Sequence, residues 1–358
     1  MLANVSTAER LQRPVRVTDQ QWPDDVTPVV SVICVTYNHK RFISECLDGF
    51  LMQETTFPIE IVVRDDASFD GTAEIVRKYH SRYPKLIRPV LHEKNQYTNA
   101  GAMIEGLLDL VKGEYYAACE GDDYWTHAGK LEEQVEILAH RPDLVMVSHE
   151  VGGISEFGEP IPRWRRLQDG ESVEYTDRDV LRNIFNHPNT WVVRTNADLS
   201  DAFPLFRTLP MGDDPWNLAL LQHGRKGLSL GYVWSVYRQH SGGIWSSQSA
   251  FRKACQELAL IVSHRNFYAP RYDRKYDAIV SDQRTKLGLM LSDAVTRGKV
   301  RQTLQALTYL TSFRSPFFSA LPEIGRIAQI GAADVVYRVS NGVTRRLIRR
   351  VQSLFAKT

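Results

Sequence analysis

The densest chemistry in the chain is Glu120-Gly121-Asp122-Asp123-Tyr124-Trp125, where three carboxylates fall within four positions. Like charges crowded together repel one another unless a cation stands between them, and oxygen donors suit Mg2+ or Mn2+. A divalent ion held there would neutralise a diphosphate leaving group. A solvated acidic turn is the competing reading. A second stretch, Arg64-Asp65-Asp66-Ala67-Ser68-Phe69-Asp70-Gly71-Thr72, sets Asp65 beside Asp66. Asp70 suits a helix cap and Gly71 a turn, whereas a carboxylate of Asp65 or Asp66 could accept a hydrogen bond from a base N–H. A third stretch, Thr36-Tyr37-Asn38-His39, presents a ring on which a flat heterocycle could stack, or simply a packed loop.

Each of the three follows a segment patterned as a strand. Val29 to Val35 is apolar and β-branched throughout, as in a strand buried on both faces, and so is the run Ile59 to Val63. Tyr115 to Cys119 is the third. Helical spacing of Phe42, Cys46, Leu47, Phe50 and Leu51 separates the first two. The alternation goes on with helices over about 70–83, 99–112 and 129–140, and strands over about 86–91 and 144–148. It predicts a doubly wound α/β domain with a mostly parallel sheet and flanking helices, whose ligands sit at the carboxyl ends of the strands. An irregular arm (1–28) precedes a first half (29–150), a second half (151–250) and a helical C-terminal region (251–358).

The three stretches, in this order and spacing, resemble the motifs of family 2 glycosyltransferases with a GT-A fold, of the bacterial type that builds cell-surface glycans. The resemblance covers about Val29 to Trp245. It implies a nucleoside diphosphate sugar, a UDP-sugar first, as donor and a hydroxyl of a glycan or lipid-linked molecule as acceptor, with inversion at the anomeric carbon. Thr36, Tyr37 and Asn38 would line the base, Asp66 or Asp65 would bond it, and Asp122 and Asp123 would hold ribose and metal. Glu120 departs from the aspartate that commonly starts the acidic motif. Further on, Leu209-Pro210-Met211-Gly212-Asp213-Asp214-Pro215-Trp216 matches the segment carrying the family's catalytic base. Pro215 suits the first turn of a helix and leaves Asp213 and Asp214 at its N-terminus, with Asp213 the first choice as base. Tyr237-Arg238-Gln239-His240 resembles the segment that closes over the diphosphate, which implies phosphate contact by Arg238 and metal ligation by His240.

Composition narrows the alternatives. With 358 residues, 43% of them apolar and 24% charged, the chain builds a globular core, which excludes disordered and small disulfide-scaffold classes. A net charge of +2 gives no electrostatic ground for a nucleic-acid partner. Four scattered cysteines fit reduced thiols in a cytoplasmic protein. The polar N-terminus lacks the apolar core of a secretory signal, and no apolar run is long enough to span a bilayer. GxGxxG after the first strand, a P-loop and HExxH are all absent, which removes the usual marks of oxidoreductases, P-loop NTPases and zincins. A nucleotidyltransferase and a catalytically silent sugar-binding scaffold remain as rivals. The segment Arg338 to Lys357 carries six basic and no acidic residues on a helical pattern. It suits either contact with an anionic membrane at its inner face or packing against the catalytic domain.

Overall fold

The computed structural model describes residues 10–97, 106–162, 166–180, 187–197, 199, 213–243, 246, 248 and 253. Two compact units divide the chain, Met1–Arg207 with Met211–Ser246, and Thr208–Pro210 with Ser247–Thr358. The elements below belong to the first. The predicted C-terminal helices and basic tail, Cys255, and the first half of the helix expected over 99–112 lie outside the described residues.

Strand β1 (Val30–Thr36) is buried along almost its whole length because both faces are covered, as its unbroken apolar run requires. Helix α1 (Ile43–Leu51) packs Cys46, Leu47, Phe50 and Leu51 into the core. It leads to β2 (Ile59–Asp65), which lies parallel to β1 in register Cys34 to Val63. Helix α2 (Thr72–Arg82) and β3 (Ile87–Leu91) complete the parallel edge. On the other side of β1 lies β4 (Tyr115–Glu120), also parallel, so that Thr36, Asp65 and Glu120 all end at one rim of the sheet.

The second half adds antiparallel strands to the parallel set. After β5 (Tyr124–Trp125) and α3 (Lys130–His140) come β6 (Leu144–Ser155), β7 (Ser172–Tyr175) and β8 (Val192–Arg194). Helix α4 (Asp213–Leu220) and β9 (Lys226–Gln239) follow. Among the described residues they form one nine-stranded sheet in the order β3-β2-β1-β4-β8-β6-β9-β5, with β7 against β9. Strand β8 is antiparallel to both β4 and β6, and β5 and β7 are antiparallel to β9, while the other six strands run in one direction, so the sheet is mostly parallel with three short antiparallel strands. A strand of three residues, Val192–Arg194, follows the 3-10 turn Pro188–Thr190 and enters between β4 and β6 from the opposite direction. Strand β6 also runs on to Ser155, through what its glycines mark as an irregular excursion, because β9 pairs with it in parallel as far as Gln239. The N-terminal arm is only partly irregular: Val15–Arg16 pairs with Glu54–Thr55, and Val17 is buried.

Beneath the rim, Lys130 is fully buried at the start of α3. Its Nζ donates to Gln134 Oε1 at 2.9 Å and lies 4.2 Å from the centre of the Trp125 ring, while Gln134 Nε2 donates to the carbonyls of Val147 and Thr190. Burial pushes the Lys130 ammonium down to about 7 from 10.5. The unfolded chain therefore binds more protons than the folded one between these values. The burial cost is in full force below about pH 7 and is relieved as pH rises towards 10.5. Urea midpoints of the wild type should rise from pH 7 to pH 9, and Lys130→Met should flatten that rise and be the more stable variant at pH 7.

Candidate active site

The loops after β1 and β2 are stitched to each other. Asn38 Oδ1 accepts from the Phe69 N–H at 3.0 Å, and the Asn38 N–H donates to Ser68 Oγ at 2.8 Å. Asp65 accepts from the Ser68 N–H and Oγ, and Asp70 accepts from the N–H groups of Lys40 and Thr72. Asp66 binds a third segment, with Oδ1 accepting from the Gln96 N–H at 2.7 Å and Oδ2 from the Tyr97 N–H at 3.1 Å. Both acids expected at the base are thus buried and engaged by the protein itself. The side chains of Tyr37 and Phe69 stand exposed beside them.

The acidic loop divides its carboxylates. Gly121 is needed there because a Cβ would stand 2.6 Å from Thr36 Oγ1, so the loop folds back directly onto the end of β1. Asp122 and the following Asp123 then face different surroundings. Asp122 Oδ2 lies 2.9 Å from His240 Nε2 and 3.7 Å from His39 Nε2. Burial acts to raise the Asp122 carboxyl, yet the hydrogen bond from His240 and the two imidazoles hold it below the usual carboxylate value. Asp123 turns inward, accepting from Asn189 Nδ2 and from the Arg238 N–H, each at 2.9 Å, with His187 Nδ1 at 3.6 Å.

His39, Asp122 and His240 each offer a ligand atom within 4.8 Å of the others. Asp122 Oδ1, His39 Nδ1 and Thr36 Oγ1 are buried there without a hydrogen-bond partner. Two imidazoles and a carboxylate fit a transition ion, Mn2+ included, better than Mg2+, which takes nitrogen ligands less readily. Sequence reasoning named Asp122 and His240 but not His39, although a histidine at the carboxyl end of the first strand was the available signal. It also named Asp123, whose oxygens the structure gives to Asn189 and Arg238 rather than to this cluster. Asn189 escaped notice because only the pairing of distant strands brings it under Asp123.

Arg238 is engaged as well. Its guanidinium lies over the Phe42 ring at 4.7 Å and the Tyr124 ring at 5.4 Å, Nε donates to the Asp122 carbonyl, and an Nη donates to Glu45. Together these contacts make Arg238 a brace between α1, the acidic loop and β9.

Asp213 opens α4, whose Trp216 Nε1 donates to Tyr116 Oη on β4 at 2.9 Å. Asp213 keeps an accessible surface, yet the protein around it desolvates the carboxyl and raises it to about 6. Glu120 also keeps an accessible surface at the end of β4, yet desolvation by the surrounding protein and then the charges of Asp122, Asp213 and Asp123 raise it above its usual value. The Asp214 side chain lies outside the described residues.

The glycosyl transferase family 2 model matches residues 31–198. Bacillus subtilis TuaG, which bears the name of a teichuronic acid biosynthesis glycosyltransferase, is 32% identical over 221 residues, 62% of this chain and 83% of TuaG. The chain belongs to glycosyltransferase family 2. This family member is also 34% identical over 233 residues to an uncharacterized protein of Mycobacterium tuberculosis, where the match takes 63% of this chain and 62% of that protein, less than two thirds of its length. The crystal structure of S. aureus TarS 1-349 in complex with UDP-GlcNAc superposes with a TM-score of 0.59 at 19% identity, covering 87% of this chain and 92% of that one, and shows the GT-A-like fold.

The inward carboxylate makes a structural claim. Asp123→Asn would set an amide N–H2 against the donors of Asn189 or Arg238, so the variant should lose about 2–4 kcal/mol of stability in thermal or urea unfolding.

Proposed function

We propose that this protein is an inverting, metal-dependent glycosyltransferase that moves a sugar from a nucleoside diphosphate donor, a UDP-sugar first, to a hydroxyl of a glycan or lipid-linked acceptor in surface polysaccharide synthesis. One observation carries the reading: a cation-ready trio, His39, Asp122 and His240, shares the sheet rim with a carboxylate, Asp213, raised to about 6. TarS, the structural neighbour, is in complex with UDP-GlcNAc, which supports the choice of donor.

The chain's own residues then have distinct tasks. His39, Asp122 and His240 would hold the ion, which supplies positive charge to the departing diphosphate. Thr36 Oγ1, buried and unpartnered beside that trio, is placed to donate to a phosphate oxygen. Asp213 takes the proton from the acceptor hydroxyl as that oxygen attacks the anomeric carbon and the bond to the diphosphate breaks. A base near 6 is ionised at neutral pH while keeping more proton affinity than an ordinary aspartate, as its task requires. A cation held by His39, Asp122 and His240 would offset the crowding among Glu120, Asp122 and Asp213.

Release of UDP from a panel of UDP-sugars with Mn2+ tests the reading, and no turnover or binding with any nucleotide sugar overturns it. Asp122→Asn should weaken Mn2+ binding at least about tenfold, read by electron paramagnetic resonance without any substrate. Asp213→Asn should keep Mn2+ and UDP affinity and lower turnover by on the order of 10²-fold to 10⁴-fold. Because the Asp213 carboxyl must be ionised to accept a proton, wild-type turnover should fall as pH drops below about 6, and that limb should vanish from the residual activity of Asp213→Asn.

A further inference from the structure

Phe69 is 82% exposed, the most exposed of the large apolar side chains among the described residues. It sits on a loop with little freedom to hide it. Its own N–H is held by Asn38 Oδ1, and the preceding Ser68 is held through its N–H and Oγ by Asp65. The backbone between these anchors is strained, with Ala67 at φ +64° and Asn38, across the seam, at φ +57°. Asparagine tolerates the left-handed region, but alanine enters it at a cost that only surrounding bonds can offset. Burying the ring would have required none of this.

The ring next to it is Tyr37, 42% exposed, with centroids 6.3 Å apart and planes at 80°. Two rings meeting at nearly a right angle form an open corner. One wall offers a face and the other an edge or face to a flat molecule of single-ring size. The corner lies at the ends of β1 and β2, on the loop that also carries Thr36 and His39. The acids beneath are already held in place, Asp65 by Ser68 and Asp66 by the Gln96 and Tyr97 N–H groups, so any bond they accept from a base adds to the corner and does not replace it.

We propose that Phe69 is the second wall of the nucleobase seat, set perpendicular to Tyr37, and that base binding depends on this aromatic corner. The inference rests on the donor reading above and adds a residue that reads the base by shape. Stacking on an aromatic wall is worth enough per base to change affinity about tenfold, and it is gained only if the wall is already in place when the ligand arrives. The reciprocal Asn38 and Ser68 bonds supply that preorganisation.

Calorimetric titration of the full chain in Mn2+ with UDP, and with pyrophosphate as a probe that lacks the base, tests it. Phe69→Ala should raise the Kd for UDP on the order of tenfold, leave the Kd for pyrophosphate unchanged and keep the melting temperature of the wild type, because the side chain is outside the core. Phe69→Tyr should restore UDP binding to within about twofold. Wild-type UDP affinity in Phe69→Ala, or equal losses for UDP and pyrophosphate, would overturn the proposal while leaving the donor reading intact. A wild-type protein that binds pyrophosphate but gains nothing from UDP would overturn it too. Failure of the wild type to bind any nucleotide would remove both.

Discussion

A buried carboxylate must find its hydrogen bonds inside the protein, and Asp123 finds them on two segments far away in sequence. Asn189 reaches it from the turn before β8, and the Arg238 backbone reaches it from β9. Asn189 is itself fixed by Ser235 Oγ and by the Trp125 indole, which donates to its carbonyl at 2.8 Å. The ends of β4, β8 and β9 are therefore locked at one point. Once Arg238 is pinned by its backbone, its side chain can span from the Asp122 carbonyl to Glu45, and His240, two residues on, meets Asp122.

Adjacent aspartates thus do opposite things. One turns into the protein and is fully satisfied; the other turns to the rim and retains a buried oxygen with no partner. Placing two like charges side by side is tolerable only because each meets a different environment. The remaining repulsion falls on Glu120 and Asp122, with Asp213 adding to it from α4. Such a rim holds positive charge well and holds itself together poorly without it.

The two halves of the sheet divide the work of positioning. The parallel half brings the ends of β1, β2 and β4 to one side, as any set of crossover-linked strands must, and so gathers three loops into one rim. The antiparallel insertion of β8 extends the same sheet and delivers the residues that brace the rim from below. Helix α4 is fastened to β4 through Trp216 and Tyr116, which sets Asp213 in electrostatic range of Glu120.

Sequence by itself determined the parallel half, because strands buried on both faces leave unbroken β-branched runs and the intervening helices leave a clear apolar stripe. It also determined the three chemical loops, Asp213 as a candidate base, and the family, since each is a local string in a fixed order. It ended β6 too early and said nothing of the direction of β8, since strand extent and pairing direction are decided there by neighbours distant in the chain and leave no periodic mark. The division between Asp122 and Asp123, the recruitment of His39, and the contact of Arg238 with Glu45 were decided by tertiary structure alone. A carboxylate's role depends on which groups face it. For Asp122 and Asp123 those groups come from segments up to 118 residues away, as between Asp122 and His240, where sequence spacing carries no information about direction.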